Sequence, residues 1–459
     1  MRKEESAMKI VIIGDGKVGF KLAKQLSEEN YDIVLIDPNE GKLKETINRL
    51  DIFCITGDGV SAEVQKQADV PHADLVIACA STDELNMLSC LIARRLGARH
   101  TIARVRNPVY LQQLDILKED LHLSMAVNPE LTVANEISRV LIFPVASKVE
   151  TFAKGRVELV EFPLQQESSI TGISLAEFYK KYKIKVLICA VQRGTQVYIP
   201  DGEFVLQPGD RLHIAASHRE MEIFFKKIGN RKNKIKKVLI CGGGRVGFYL
   251  AKQLTKLGMQ VKIIEKDLAK SEGLCEALPE ATIIHGDGSD NELLIEEGIG
   301  DADAFIALTG MDEENIIMAL FAKQQGVPKI VAKVNEDSRA EMVAGFGINS
   351  IVSTKSATAD AILSYVRARQ NSIRSANIEA MYHLVDDRVE ALEFIIKKQA
   401  SYVGVPLKSL ETKKDVLIAC IVRNRKIIIP GGEDCLQIGD SVIVITLKCK
   451  VQDFHDILV

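Results

Sequence analysis

The sequence of 459 residues predicts an α/β protein in which two doubly wound parallel sheets alternate along the chain with two small α+β modules. Three observations lead to this prediction. Short apolar runs alternate with amphipathic helical segments, a pattern typical of parallel sheets with crossover helices. A G-x-G-x-x-G spacing follows the first apolar run, and the whole arrangement recurs 228 residues later. A constant offset of this kind indicates an internal duplication.

The first glycine loop lies between a buried strand predicted at Lys9–Ile13 and an amphipathic helix. Gly14 allows the tight turn, Gly16 lets the backbone approach a pyrophosphate, and Gly19 allows close packing of helix and strand. The next apolar run ends in Asp37, whose carboxylate can accept both hydroxyls of a ribose. The combination predicts a Rossmann-like sheet with a dinucleotide site at the N-terminus of its first helix.

The second half of the chain repeats each part of this loop. Its glycines are Gly242, Gly244 and Gly247, and Glu265 takes the place of the first acid. A GDG turn follows the third predicted strand in both halves, at 57–59 and at 286–288. We therefore expect one nucleotide site in each half.

Throughout the first half of the chain up to Pro144, apolar runs of strand length alternate with helical segments. The strands predicted for the first sheet are Lys9–Ile13, Ile33–Ile36, Phe53–Thr56, Leu75–Ala78, Thr101–Val105 and a short one at Met125–Val127. Glu84–Leu96 is one of the predicted helices, and Pro129 suits the first position of another that runs toward Pro144.

After Pro144 the pattern changes to alternating strands separated by turn residues, which predicts a small α+β module. Its predicted strands are Val157–Phe162, Val186–Gln192, Gln196–Ile199 and Arg211–Ala215, repeated as Val389–Phe394, Val416–Val422, Lys426–Ile429 and Ser441–Thr446. The expected domains are residues 8–130 and 235–355 for the Rossmann-like lobes, and 145–229 and 376–459 for the modules.

Further candidate ligands of a nucleotide follow from the position of each residue in the loop or at the carboxyl end of a strand, where ligands of such sheets bind. In the first half they are Asp15, Lys17, Val18, Asp58, Gly59, Ala80 and Arg104. In the second half they are Gly243, Arg245, Val246, Asp287, Gly288, Thr309 and Lys333.

Several of these residues have two interpretations. Asp15 places a carboxylate inside the phosphate loop, where it would repel phosphate, and the positive charge of Lys17 offers compensation. Asp58 and its counterpart contact the adenosine end or are simply turn aspartates. Arg104 and its counterpart reach phosphate oxygens as charged donors or form surface salt bridges. The glycines themselves serve either a ligand or packing alone.

Composition excludes several classes of function. A formal net charge of −3 disfavours a nucleic-acid-binding protein that works by bulk charge. Nine scattered cysteines without a C-x-x-C motif predict reduced core thiols of a cytoplasmic protein, with no metal site. The first residues lack the apolar segment of a secretory signal, and no uncharged apolar run reaches the length of a membrane span. The histidines show no metal-binding or catalytic spacing.

Taken together, the motifs resemble those of the RCK domains, also called KTN domains, that regulate potassium channels and transporters. The resemblance rests on GDGKVG and GGGRVG, the two acids, the paired GDG turns, ACASTDELNM and ALTGMDEENI, IARV and VAKV, and the late hairpins IPDGEFVLQPGD and IPGGEDCLQIGD. It extends from Met8 to Val459.

This resemblance implies a regulatory function. NAD(H), or adenine nucleotides such as ATP and ADP, would bind the Rossmann-like lobes. The lobes of four chains would assemble into an eight-lobed gating ring, so a homotetramer is expected. The ring would lie on the inner face of the cell membrane as a peripheral protein, beneath a potassium-transporting subunit of the TrkH or TrkG type. The resemblance does not establish whether the small modules bind a second effector.

Two other functions remain open at this point. A nicotinamide-dependent oxidoreductase would use one lobe for its cofactor and another for its substrate, although no catalytic set of residues is apparent and two cofactor lobes suit a sensor better. A structural relative that has lost affinity for nucleotides would act only as a scaffold.

Overall fold

The computed structural model describes residues 8–110, 113, 116, 120–152, 156–229, 234–348, 350–374, 378–385, 388–424, 426–447, 451 and 453–458. The chain divides into two units that each draw on both halves of the sequence. The first unit contains the two parallel sheets, in residues up to Ile137 and in Lys237–Leu363. The second contains the two antiparallel sheets, in Ser138–Lys236 and from Ser364 onward.

The first parallel sheet has six strands in the order β3-β2-β1-β4-β5-β6. They are β1 (Lys9–Ile13), β2 (Asp32–Asp37), β3 (Phe53–Thr56), β4 (Leu75–Ala78), β5 (His100–Arg104) and β6 (Met125–Val127). The helices of this half are α1 (Lys17–Glu28), α2 (Glu40–Ile47), α3 (Ala62–Gln67), α4 (Asp83–Leu96) and α5 (Pro129–Ile142). The strand order reverses between β1 and β4, which is where sheets of this type form a ligand crevice.

The second parallel sheet repeats this topology strand for strand. Its strands are β12 (Lys237–Cys241), β13 (Gln260–Glu265), β14 (Thr282–His285), β15 (Ala304–Ala307), β16 (Lys329–Lys333) and β17 (Ser350–Val352), in the order β14-β13-β12-β15-β16-β17. Its helices are α8 (Arg245–Lys256), α9 (Leu268–Ala277), α10 (Asn291–Glu296), α11 (Asp312–Gln324), α12 (Asp337–Gly345) and α13 (Thr354–Arg374).

Local sequence explains these elements. The central strand β1 is a β-branched apolar run because it lies inside the sheet, and Ile10 and Ile12 have no solvent-accessible surface. Helices begin at polar residues whose side chains accept the first free N–H groups, such as Asn39 before α2 and Thr82 before α4. Helix α4 ends at Gly97, which has a positive φ of 126°.

The prediction of two tandem Rossmann-like sheets is confirmed. The bounds predicted for β1, β3, β4 and β6 agree with the structure, and the fifth strand begins one residue earlier than predicted. The helix predicted to begin at Pro129 is α5, which ends at Ile142.

The second unit contains one five-stranded antiparallel sheet from each half. In the first half β7 (Lys148–Phe152), β8 (Val157–Pro163), β9 (Leu187–Arg193), β10 (Gln196–Tyr198) and β11 (Arg211–Ala216) have the order β10-β9-β11-β8-β7. Helices α6 (Leu175–Tyr182) and α7 (His218–Lys227) belong to this module. In the second half β18 (Ile378–Leu384), β19 (Val389–Ile395), β20 (Val416–Arg423), β21 (Lys426–Ile428) and β22 (Ser441–Leu447) have the order β18-β19-β22-β20-β21.

Sequence analysis missed one strand in each module, β7 and β18. Both are edge strands, each paired with a single neighbour. An edge strand buries less of its surface than a central one, so polar residues such as those in KVETF weaken its periodic signal. The other strands of both modules lie within a residue or two of their predicted positions.

The two modules share an apolar core. Phe152, Leu159 and Cys189 of the first module lie in one buried cluster with Ala391 and Cys420 of the second. Burial of apolar surface on both sheets stabilises this unit. The eight cysteines in the described part of the chain are all free thiols. No helix in the described ranges is both long enough and apolar enough to cross a membrane.

A buried ion pair closes the last hairpin of the first module. Asp210 has no solvent-accessible surface, and its two carboxylate oxygens accept hydrogen bonds from Arg193 Nε (2.7 Å) and Nη2 (2.8 Å). Its Oδ2 atom also accepts from the backbone N–H of Gln207 at 2.8 Å. In the second module Arg423 and Asp440 form the same pair.

Replacing Asp210 by Ala should therefore lower the free energy of unfolding by about 2–3 kcal/mol, because Arg193 and the N–H of Gln207 lose their acceptor. Chemical denaturation followed by circular dichroism measures this loss. The matched control is Asp201→Ala, since Asp201 is an exposed turn aspartate nearby and its loss should cost under about 1 kcal/mol. Equal effects of the two substitutions would contradict a special role for the buried pair.

Candidate functional site

The outer two glycines of each loop are required by the loop itself. Gly14 has a φ of 106°, and a Cβ atom there would lie 2.8 Å from the backbone nitrogen of Ala80. A Cβ atom on Gly19 would lie 1.9 Å from the carbonyl oxygen of Gly14. The second loop has the same constraints. Gly242 has a φ of 108°, and a Cβ atom on Gly247 would lie 2.3 Å from the carbonyl oxygen of Gly242. The third glycine thus packs mainly against the carbonyl of the first, rather than against a strand as the motif alone suggests.

The middle glycines, Gly16 and Gly244, are different. Their φ angles of −87° and −63° suit any residue, and no described residue other than the two chain neighbours has an atom within 4 Å of a Cβ built on either one. Each is the N-cap residue of its helix, and neither helix has a side-chain cap. Open space beside an uncapped helix N-terminus suits a phosphate group, because the free N–H groups and the helix dipole attract an anion.

The acid at the end of the second strand is hydrogen-bonded to the glycine loop. Asp37 Oδ2 accepts from the backbone N–H of Asp15 at 2.7 Å, and Oδ1 accepts from the backbone N–H two residues later at 2.8 Å. Glu265 makes the same two bonds, at 2.8 Å to the N–H of Gly243 and at 3.0 Å to the N–H two residues later. The extra methylene of the glutamate therefore leaves the pattern unchanged.

The expectation that the Asp15 carboxylate occupies the phosphate loop is wrong in detail. The residue is 7% exposed, and its Oδ2 atom accepts a hydrogen bond of 2.7 Å from the hydroxyl of Thr46 in α2. Burial raises the pKa of Asp15, while the bond from Thr46 opposes that shift. The Asp15 carboxylate therefore contacts Thr46 of α2 and is not exposed beside Gly16.

The aspartates of the two GDG motifs are turn residues. Asp58 Oδ1 accepts from the backbone N–H of Val60, and Asp287 Oδ1 accepts from that of Ser289, both at 3.0 Å. Lys266 Nζ lies 2.6 Å from Asp287 Oδ2, and this hydrogen bond lowers the pKa of Asp287 to about 2. These contacts support the interpretation of both aspartates as turn residues.

The second glycines of these motifs are explained by packing. A Cβ atom on Gly59 would lie 2.1 Å from Ile13 Cγ2 of the central strand. A Cβ atom on Gly288 would lie 3.1 Å from Cys241. The close approach of this turn to the central strand is therefore sufficient to account for glycine at both positions.

A buried asparagine ties the ends of the fourth and fifth strands together. Asn86 accepts from the backbone N–H of Ala80 at 2.7 Å and donates to the carbonyl of Arg104 at 2.9 Å. The equivalent residues of the second lobe are Asn315, Thr309 and Lys333. The structure thus brings the predicted residues at positions 80 and 104 to one edge of the sheet, and likewise those at 309 and 333.

The two predicted cations at this edge do not form surface salt bridges with any described residue. The guanidinium of Arg104 donates to the carbonyl of Ala80, and its buried Nε atom has no hydrogen-bond partner in the described part of the chain. Lys333 Nζ donates to the carbonyl of Leu308 at 3.2 Å. Burial lowers the pKa of both side chains. Partly desolvated cations of this kind interact strongly with an anion that comes within reach.

Sequence analysis missed one acidic position that organises this edge. Asp83 Oδ2 accepts from the backbone N–H groups of Arg106 (2.9 Å) and Asn107 (2.7 Å), so it holds the chain that follows β5. Asp312 does the same for Asn335 and Glu336. The sequence does contain an indication of this role, because an aspartate begins both repeated segments, DELN at 83–86 and DEEN at 312–315.

The two lobes contact each other through equivalent helices. Asn128, just before α5, lies 3.3 Å from the hydroxyl of Tyr249 in α8, and Lys21 Nζ in α1 donates to Ser356 Oγ in α13 at 2.7 Å. Each contact joins the first helix of one lobe to the last helix of the other. The sequence did not reveal this exchange, because the residues that meet lie in different halves of the chain and no local pattern indicates which distant residues come together.

The same contact brings an acid of the first lobe to the second glycine loop. Glu130 is buried at the start of α5, and Arg106 Nε donates to its Oε1 atom at 2.7 Å. Arg245, beside the second glycine loop, has its Nη1 atom 3.9 Å from the same oxygen. Glu130 Oε2 is buried and has no hydrogen-bond partner among the residues that the structure describes. A carboxylate of the first lobe therefore lies beside the second loop.

Family models match most of the chain. A TrkA-N domain matches residues 10–129 and 238–354, and a TrkA-C domain matches residues 159–229 and 391–459. The curated relative named Trk system potassium uptake protein TrkA homolog 1, from Methanosarcina mazei, is 32% identical and covers 97% of this chain and 99% of its own length. The Trk system potassium uptake protein TrkA of Halomonas elongata is 30% identical, with 97% of each chain covered.

Solved structures of low sequence identity share the fold. The GsuK RCK domain has a TM-score of 0.64 at 19% identity and covers 97% of this chain and 93% of its own. The GsuK channel bound to NAD has a TM-score of 0.65 at 19% identity, with 97% and 78% covered. GsuK bound to ADP has a TM-score of 0.51 at 16% identity, with 80% and 70% covered.

These findings confirm the RCK resemblance and the prediction that the chain is not an enzyme, since the relatives are named as potassium uptake proteins. The matched segments include both glycine loops and both late hairpins. The chain belongs to the TrkA family of Trk system potassium uptake proteins.

Proposed function

We propose that this chain is a nucleotide-sensing regulatory subunit of potassium uptake. It acts as a peripheral protein on the cytoplasmic face of the membrane, beneath a potassium-transporting subunit of the TrkH or TrkG type. Family membership supports the link to potassium. The observation that carries the sensing function is the duplicated glycine loop with open space at Gly16 and Gly244.

NAD(H), or ADP and ATP, are the proposed ligands of both lobes. GsuK, which shares the fold, has been solved with NAD and with ADP. The pyrophosphate would lie beside Gly16 or Gly244, against the free N–H groups of the following helix. The ribose would bind at Asp37 or Glu265, whose carboxylates already accept hydrogen bonds from the loop. A bound nucleotide supplies negative charge and hydrogen-bonding groups, and no chemical step is required of it.

The remaining predicted ligands lie around this position. Lys17 and Val18, like Arg245 and Val246, are the first residues of the helix that follows the loop. Arg104 and Lys333 would exchange a backbone carbonyl for a phosphate oxygen, a stronger acceptor because it is charged. Asp58 and Asp287 would face the adenosine end. The small residues Gly59, Gly288 and Ala80 at the carboxyl ends of the strands would leave room for the ligand.

The lobes are proposed to assemble as an eight-lobed ring of four chains. Apolar side chains are exposed at equivalent positions of α4 and α11, where Leu88 is 44% exposed and Ile317 is 65% exposed. Helix α12, which packs beside α11 through Val343, exposes Met342, and Phe346 just after its end is exposed as well. Exposed apolar helix faces favour association with another copy of the same lobe.

Coupling between ligand and ring would use the contact between lobes. The N-terminus of α8 is the proposed phosphate site of the second lobe, and Arg245 there faces Glu130 of the first. A nucleotide that draws Arg245 toward its phosphates changes the charge opposite Glu130. Such a ligand shifts the ring only if its affinity differs between the ring's conformations.

Replacing Gly16 or Gly244 by Val tests the sensing function. The open space around each glycine means that the fold should tolerate the side chain, while the phosphate position is filled. We expect the double variant to lose measurable binding of NADH and ATP and to lose the nucleotide response of potassium flux when reconstituted with a TrkH-type subunit. Calorimetry and vesicle flux assays measure the two losses.

Gly300→Val is the matched control, because Gly300 is exposed, has open space around it and lies outside both loops. It should leave binding and flux response intact. A folded double variant that still responds to nucleotide would exclude the glycine loops as the sensor. Wild-type protein that binds no nucleotide would indicate a scaffold, and NADH turnover with any substrate would indicate an oxidoreductase.

The proposed ring predicts that the purified chain has the mass of a tetramer in solution. Replacing both Leu88 and Ile317 by Asp should reduce this mass, because charged groups at an apolar interface lose hydration without gaining partners. Light scattering coupled to gel filtration gives the mass. Leu268→Asp serves as the control, since Leu268 is similarly exposed at the start of α9. A monomeric wild-type chain at micromolar concentration would contradict the ring.

A further inference from the structure

The two nucleotide loops differ at one coupled pair of positions. In the first lobe Asp15 of the loop is hydrogen-bonded to Thr46 of α2 at 2.7 Å. The residues at the same places in the second lobe are Gly243 and Leu274, each shifted by 228 residues. Both pairs lie beside the acid that ends the second strand, since the N–H of position 15 or 243 donates to it.

The pairs are matched in size. A Cβ atom on Gly243 would lie 2.3 Å from Leu274 Cδ1 and 3.1 Å from Glu265 Oε2, so a side chain in the loop would require the leucine of α9 to move. Threonine is smaller than leucine and supplies the hydroxyl that the buried carboxylate accepts. Either pair is compatible with the fold, whereas an aspartate in the loop beside a leucine in the helix would require the leucine to shift and would leave the carboxylate without the hydroxyl donor.

The pairs are not matched in charge. At the strand end of the first lobe Asp15 adds a second carboxylate to that of Asp37, and the residue that follows is Pro38. In the second lobe Glu265 has no acid beside it in the loop, and the residue that follows is Lys266, whose ammonium group is hydrogen-bonded to Asp287. The electrostatic potential beside Asp37 is therefore more negative than that beside Glu265.

Apart from Glu130, whose Oε1 atom lies 3.9 Å from Arg245 Nη1 in the second site and accepts a hydrogen bond from Arg106, the remaining charges of the two sites are matched. Each lobe has a carboxylate in its GDG turn, a cation at the start of the helix after the loop and a cation at the end of its fifth strand. The hydroxyl of Thr46 donates to the ionised form of Asp15, so it helps to keep the charge in place. Because the charge of Glu130 is paired with that of Arg106, the remaining difference between the lobes lies at the loop residue, at its partner in α2 or α9, and at position 38 or 266.

We propose that this pair makes the two sites unequal in the charge of nucleotide they accept. The first site favours the less highly charged dinucleotide NAD(H), and the second accepts the more highly charged ADP and ATP. This inference rests on the proposed nucleotide-binding function. Its cause is Coulombic, because every additional phosphate charge is repelled by the extra buried carboxylate of the first lobe.

The test measures the ratio of the dissociation constants of ATP and NADH at each site of the full-length chain. Gly244→Val isolates the first site, and Gly16→Val isolates the second, with calorimetry as the readout. We expect the ratio to be about tenfold higher at the first site, since one charge within roughly 10 Å of the phosphates, at an intermediate dielectric, has about this effect.

Asp15→Asn is the decisive variant. Asparagine has the size of aspartate and its amide oxygen can still accept from Thr46, so only the charge is removed. The ratio at the first site should fall about threefold to tenfold, and the difference between sites should also shrink as salt is added, because ions screen the charge. Asp32→Asn is the control. Asp32 is an exposed acid at the opposite end of β2 from Asp37, so its substitution should not change the ratio of dissociation constants.

The reciprocal exchange at the second site, Gly243→Asp together with Leu274→Thr, should raise its ratio. If Asp15→Asn leaves the ratio at the first site within about twofold of its original value, the charge of Asp15 does not set selectivity and the inference is overturned. If both sites of the wild-type chain bind ATP and NADH with equal ratios, it is overturned as well. Absence of all nucleotide binding is a separate result, because that outcome contradicts the proposed function itself.

Discussion

The hydrogen bond from the glycine loop to the acid at the end of the second strand is the contact on which each candidate site depends. The first glycine turns the chain with a positive φ, and the N–H of the next residue is then held by Asp37 or Glu265. This contact fixes where the following helix begins, and so where its free N–H groups are. The acid thus has a structural role in the chain as it stands, in addition to the ribose contact proposed for it.

Packing between the lobes gives the two sites different surroundings. The last helix of each lobe contacts the first helix of the other, so the start of α8 lies against the start of α5. Glu130 is buried there among cationic side chains. At the first loop the position equivalent to Glu130, the second residue of the last helix, is Lys355, which carries no carboxylate. A symmetric duplication has therefore produced asymmetric electrostatics, and a ligand at either loop acts close to the contact between lobes.

The second unit is stabilised by simpler means. Apolar residues of both antiparallel sheets share one buried cluster, and an arginine–aspartate pair closes a hairpin in each module. Asp210 and Asp440 are almost completely buried, while their arginine partners are partly exposed. Because each carboxylate also accepts a backbone N–H, the pair satisfies groups that would otherwise be buried without partners. Such contacts stabilise the module without requiring a ligand.

The sequence by itself determined the features that depend on near neighbours along the chain. The order of strands and helices, the turn at Gly14, the helix that begins at Pro129 and the duplication follow from periodicity, glycine spacing and proline position. Only the tertiary structure decided which distant residues meet. The pairing of Asp15 with Thr46, the buried asparagines at positions 86 and 315 and the contact between Glu130 and Arg245 depend on how helices pack across a sheet or between lobes. A side chain's environment is set by neighbours that are remote in sequence, and no local pattern contains that information.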